Sequence, residues 1–174
     1  VFDFLKRHQR AELRAQPFPD AWRAIFDRDI AYVGKLDHEE RVALEGLVQI
    51  FLAEKNSEGC GGLELTDEIR VTSSAEACLL IVHRAGDIYP DLETILVYPS
   101  AYRAKATRHE GMVVIESDDA RLGESWTRGV VVLAWDHVQR SARTIGGGNV
   151  VFHEFAHQLD GEDGTMDGAP ALGS

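Results

Sequence analysis

Three residues in the second half of the chain have the types and spacing of a metal-dependent hydrolytic site: His153, Glu154 and His157. On an α-helix, residues four apart lie on one face, so the two imidazoles can bind one zinc ion with Zn–N bonds of about 2.0–2.1 Å. Glu154 projects close to the same point without being a ligand. It can therefore accept a proton from a zinc-bound water, whose pKa the metal lowers, and pass it to the leaving amine of a peptide.

The neighbours of this motif support a site rather than a coincidence. The composition of the chain gives about 0.02 accidental matches to the pattern. The motif also interrupts an apolar helical stretch, Val150 to Leu159, where two imidazoles and a carboxylate are costly to bury without partners. The alternative is a solvent-facing pair of histidines at helical spacing that binds nothing.

Asp160 is a further candidate because it lies three residues beyond His157 and seven beyond His153. A carboxylate outside the ligand set often orients a metal-bound histidine through its other ring nitrogen. Asp160 is therefore a candidate for that orienting role. A direct ligand and a plain helix-end carboxylate remain alternatives.

The helices that must hold the motif are located by their apolar periodicity. Residues 1–16 form an arm or a short helix, and residues 19–32 have apolar side chains at helical spacing. A stronger helix begins with a capping box at Asp37 and extends to about Lys55. Another is predicted from Thr66 to about His83, at the centre of the fold. Residues 63–65 form either a short strand or the start of that helix.

Three apolar runs bounded by turn residues predict strands at residues 94–98, 112–116 and 130–135, with a turn at residues 136 and 137. The motif helix then extends from about Val150 to Leu159, with Asn149 as its N-cap. Residues 161–174 are predicted to form a loop, because residues 161–170 are rich in turn formers and lack an apolar period. Helices followed by a small mixed sheet and the motif helix make the fold class α+β.

Charge and composition narrow the classes of partner. The formal net charge of −11, from 29 acidic and 18 basic residues, disfavours direct binding to nucleic acid or to an anionic membrane surface.

The N-terminus lacks the apolar stretch of a signal peptide. Cys60 and Cys78 lack metal-ligand spacing and are expected to be reduced, buried or half-buried thiols. We therefore expect a cytoplasmic protein.

The residues from Asn149 to Asp160, followed by residues 162–164 and 167–170, resemble the Mlc titration factor A family of bacterial zinc peptidases. Segments at residues 64–68, 75–80, 95–100 and 129–135 are similar too. The resemblance covers the chain from about residue 18.

The resemblance implies a zincin-like fold whose catalytic core is similar to that of anthrax lethal factor. It implies a cytoplasmic metallopeptidase with aminopeptidase-type activity, in which His153 and His157 bind zinc and Glu154 is the base. It also implies an alternative function, because the namesake binds the Mlc repressor. On that alternative the protein sequesters a transcriptional repressor, with weak or absent peptidase activity.

The family's third protein ligand, a glutamate, lies on a later helix, and a tyrosine that helps to stabilise the oxyanion also comes later. Only 17 residues follow His157, so both are expected beyond Ser174. The sequence is therefore expected to form one zincin-like domain over residues 1–174, truncated at its C-terminal end.

Overall fold

The computed structural model describes residues 2–101, 129–146 and 149–163. Six α-helices, one 3₁₀-helix and three strands lie in these ranges. In chain order they are α1 (Phe2–Ala15), α2 (Asp20–Asp29), the 3₁₀-helix (Ala31–Lys35), α3 (His38–Glu54), β1 (Asn56–Gly59), α4 (Asp67–Leu79), β2 (Thr94–Tyr98), β3 (Val130–Ala134), α5 (Trp135–Ala142) and α6 (Val150–Asp163).

Helix α3 begins as the sequence predicts. The Glu40 backbone N–H donates to Asp37 Oδ1 at 2.9 Å, and the Asp37 backbone N–H donates to Glu40 Oε2 at 2.9 Å. The capping box satisfies two N–H groups that an α-helix leaves without partners. The predicted helix is confirmed.

Helix α4 lies at the centre of the described fold, where it packs against α2, α3, α5 and α6. Thr66 caps it by accepting a hydrogen bond from the Ile69 backbone N–H at 3.3 Å. Almost every residue from Ile69 to Cys78 is buried, which confirms the predicted central helix. The helix ends at Leu79, earlier than the predicted His83, and a turn follows.

The sheet has the order β1-β2-β3, and both pairs are parallel. Thr94 pairs with Asn56 on one side and with Val130 on the other. The predicted strands at 94–98 and 130–135 are confirmed, except that Trp135 begins α5. The described strands do not form a mixed sheet, because both strand pairs are parallel, and α4 carries the chain back between β1 and β2. The predicted strand at 112–116 lies outside the described residues.

Three local predictions are wrong, and one strand was not predicted. Residues 136 and 137 are typical turn formers but belong to α5, whose Val138 and Ala142 are buried four residues apart. Strand β1 has no strand-forming residue type and depends on its pairing with β2. Residues 63–65 form neither strand nor helix. Helix α6 continues to Asp163, so the first three residues of the predicted loop are helical, and the rest of that loop lies outside the described residues.

Residues 1–16, predicted as an arm or a short helix, contain α1, none of whose residues is buried. Ion pairs attach α1 to the rest of the fold: Arg10 Nε lies 2.6 Å from Glu54 Oε1, and Lys6 Nζ lies 2.8 Å from Asp87 Oδ2. The fold is α+β by class. In the described ranges, none of the helices is both long enough and apolar enough to cross a bilayer.

Candidate metal centre

The motif helix α6 begins at the predicted cap. Asn149 Oδ1 accepts a hydrogen bond from the Phe152 backbone N–H at 3.0 Å, and the His153 backbone N–H donates to the Asn149 carbonyl oxygen at 3.1 Å. An asparagine in this position is among the most favourable N-caps. The cap fixes the residue at which the helix starts, and so the directions in which His153 and the following residues project.

One face of α6 is locked into the core. Val151, Phe155 and Leu159 recur every four residues and are all buried. The Phe155 ring contacts those of Tyr89 and Phe51 edge-on, with centroid separations of 5.3 and 6.1 Å. Because this face cannot rotate away from the core, the rest of the helix circumference is fixed as well.

The two histidines lie on the exposed part of that circumference. Their Nε2 atoms are 3.0 Å apart, and their ring planes meet at 83° with centroids 4.4 Å apart. Two nitrogens bonded to a tetrahedral zinc at about 2.1 Å are separated by about 3.4 Å. An increase of a few tenths of an ångström in the distance between the two Nε2 atoms would therefore let both rings bind one zinc ion. The residues present fit a metal ion.

Glu154 lies half-buried between the two histidines in sequence. In the described part of the chain, no hydrogen bond or ion pair engages its carboxylate. A carboxylate left free beside two converging imidazoles suits proton transfer better than it suits a structural ion pair.

Asp160 is buried, with 4% of its surface exposed. No described residue donates a hydrogen bond to its Oδ1 atom. An unsatisfied buried acceptor costs of the order of 1–3 kcal/mol. The role of Asp160 in orienting a histidine stays a prediction.

No third histidine, cysteine or carboxylate joins His153 and His157 within the ranges that the structure describes. His83 instead lies 3.1 Å from Glu40 Oε1. Cys60 and Cys78 are free thiols, half-buried and buried respectively, as predicted.

Sequence reasoning missed Glu76, a fully buried carboxylate on α4. Its Oε2 atom accepts a hydrogen bond from Ser141 Oγ at 3.1 Å, and its Oε1 atom accepts one from Asn149 Nδ2 at 3.3 Å. Burial raises the pKa of Glu76 to about 7, and the two hydrogen bonds offset only part of this rise. The available signal was one acidic residue within an otherwise apolar run from Ala75 to Leu80.

This carboxyl group predicts a stability that falls as pH rises. The folded-state pKa of Glu76 is higher than its unfolded value, so at pH values between the two the folded state binds more protons than the unfolded state. The free energy of unfolding therefore falls as the pH rises through the folded-state pKa near 7. We expect the free energy of unfolding to fall by about 2 kcal/mol between pH 5 and pH 8 because of Glu76. Urea unfolding of wild type and Glu76→Gln at both pH values measures the difference.

The matched control for this experiment is Glu64→Gln, which changes an exposed carboxylate. It should retain the pH dependence of the wild type, whereas Glu76→Gln should flatten it. An unchanged slope in Glu76→Gln would show that Glu76 does not titrate in this range.

The residue types and spacing on α6 are those of metallopeptidases that bind zinc through two histidines of one helix. From residue 4 to residue 174 the sequence matches the model of the glucose-regulated metallo-peptidase M90 family. The chain therefore belongs to that family, and the suggested family relationship is confirmed.

Individual relatives agree with this assignment. An uncharacterized protein of Synechocystis sp. is 43% identical over 165 residues, covering 93% of this chain and 60% of that protein. Mlc titration factor A of Serratia proteamaculans is 27% identical, covering 82% of this chain and 55% of the relative. The same factor of Klebsiella pneumoniae is 28% identical, covering 82% and 54%. The chain thus spans between 54% and 60% of the length of these relatives.

Proposed function

We propose that this chain is the motif-bearing part of a zinc-dependent peptidase with a zincin-like fold and aminopeptidase-type activity. The observation that carries the proposal is the convergence of His153 Nε2 and His157 Nε2, 3.0 Å apart, on the exposed side of a helix whose other side is locked in the core. Membership of the metallo-peptidase family supports the same chemistry.

Each motif residue has a separate task in this proposal. His153 and His157 hold the zinc ion through their Nε2 atoms. The ion, when bound, lowers the pKa of a water molecule and polarises the carbonyl group of the substrate. The Glu154 carboxylate accepts the proton of the attacking water and delivers it to the nitrogen of the leaving amine. We propose that a glutamate outside the described residues supplies the third protein ligand.

Metal removal tests this function in the full-length protein. We expect a chelator to abolish hydrolysis of an amino-acid amide, and stoichiometric zinc to restore it, because the water and the carbonyl group both depend on the ion. Rates measured before chelation, after chelation and after addition of zinc or magnesium provide the test. Full activity in metal-free protein would contradict a zinc peptidase.

A second function is favoured by the names of the relatives, which describe factors that titrate Mlc. On this proposal the protein binds a transcriptional repressor, and peptide hydrolysis is weak or absent. Calorimetric titration of a purified Mlc-type repressor against the wild type and Glu154→Gln distinguishes the two. Binding by both, together with no hydrolysis by the wild type, would favour the repressor-binding function.

A further inference from the structure

Among the described residues outside the motif, Glu76 is a fully buried carboxylate. It lies on α4, and no described lysine, arginine or histidine forms an ion pair with it. A buried carboxylate without a countercharge is costly, and an apolar side chain of similar size would fill the same space at lower cost. Helix packing alone therefore does not account for Glu76, and its two hydrogen-bond partners show what else it does.

The first of these partners is the cap of the motif helix. Asn149 donates from Nδ2 to Glu76 Oε1 at 3.3 Å and accepts at Oδ1 from the Phe152 backbone N–H at 3.0 Å. The two ends of an amide group differ, because its oxygen only accepts and its nitrogen only donates. With an acceptor on one side and a donor on the other, only one orientation satisfies both neighbours. The hydrogen bond to Glu76 thereby keeps Asn149 Oδ1 facing the Phe152 backbone N–H.

The second partner connects a further helix. Ser141 on α5 donates to Glu76 Oε2, so the single carboxylate joins α4, α5 and the start of α6. The first turn of α6 continues directly into His153, whose backbone N–H donates to the Asn149 carbonyl oxygen. Loss of the Glu76 carboxylate would therefore free the Asn149 side chain and loosen the first turn of α6, which sets the directions of the His153 and Glu154 side chains.

We propose that Glu76 is a positioning residue for the site of His153, Glu154 and His157, acting through the side chain of Asn149 to fix the first turn of α6. It does not touch substrate or metal in this role. The inference rests on the proposed peptidase function only for the expected effect on kcat. The ordering of the helix start can be measured without zinc or substrate.

The test compares Glu76→Ala, Glu76→Gln, Asn149→Ser and the double variant Glu76→Ala/Asn149→Ser in the full-length protein. A serine at position 149 still caps the helix but has no amide to donate to Glu76. In Glu76→Gln the amide oxygen still accepts from Asn149, while its NH₂ group donates to Ser141 Oγ. The Ser141 hydroxyl can then donate to the Val138 carbonyl oxygen, 3.1 Å away.

We expect Glu76→Ala and Asn149→Ser each to lower kcat about tenfold with little change in KM, because the motif side chains are still present but are less precisely oriented. Amide hydrogen exchange at Phe152 and His153 should become about tenfold faster in both variants. Glu76→Gln should stay within about threefold of the wild type in both measurements. The double variant should match the more impaired single variant in kcat and in exchange rate, because both changes remove the same hydrogen bond between Asn149 and Glu76.

The matched control is Asp37→Ser, which places a serine at the N-cap of α3 and keeps the capping box with Glu40. It should leave kcat and exchange in α6 unchanged. Wild-type kcat and exchange in Asn149→Ser, or additive effects in the double variant, would overturn the proposal. If Glu76→Ala does not fold, the contrast between Asn149→Ser and Glu76→Gln decides. A wild type without zinc or hydrolysis would refute the peptidase function, and hydrogen exchange would still decide the role of Glu76.

Discussion

Glu154→Gln in the full-length protein is expected to lower kcat by a factor of about 10²–10⁴ while leaving zinc content and KM nearly unchanged. The carboxylate carries the proton from the attacking water to the leaving amine, and an amide of the same shape cannot accept that proton. Nothing else is expected to change, because no described residue bonds to the Glu154 side chain. Steady-state hydrolysis of an amino-acid amide, with zinc measured in the same samples, gives both quantities.

Glu64→Gln is the matched control, since it makes the same chemical change on the exposed surface. It should retain wild-type kcat. If Glu154→Gln retained both full zinc and full activity, Glu154 would not be the base. A variant that lost zinc together with activity would instead indicate that Glu154 is needed for the metal ion.

The second large effect is expected from the histidines. His153→Ala and His157→Ala should each weaken zinc binding by at least about 100-fold, because replacing even a residue that only orients a ligand costs about 10–100-fold. The fold should persist, since both side chains are exposed and neither belongs to the buried face of α6. Competition with a coloured chelator measures the affinity, and circular dichroism checks the fold.

His83→Ala provides the comparison, because it removes an imidazole that pairs with Glu40 and not with the motif. Its zinc affinity should equal that of the wild type. Equal affinities in all three variants would place the zinc ion elsewhere in the protein.

The predictions from sequence succeeded where local chemistry decides the structure. The capping box at Asp37 and the N-cap at Asn149 are formed by residues close together in the chain, and both are present. The strand β2 was likewise predicted from its own apolar residues. The motif spacing also placed the two imidazoles on one face of a helix, as their 3.0 Å separation shows.

The predictions failed where a tertiary partner decides. Strand β1 consists of Asn56, Ser57, Glu58 and Gly59, and only its backbone pairing with β2 makes it a strand. Glu76 is 73 residues from Asn149 in the chain, so no local pattern connects the two. The acidic character of Glu76 was visible, but its complete burial depends on the helices that surround α4.

The central claim is that His153 and His157 together bind zinc. Anomalous diffraction at the zinc absorption edge, on crystals of the full-length protein grown with zinc, tests it most directly. We expect one strong anomalous peak at about 2.0–2.1 Å from both His153 Nε2 and His157 Nε2. A peak bound to other residues, or no peak between these imidazoles in zinc-saturated crystals, would contradict it.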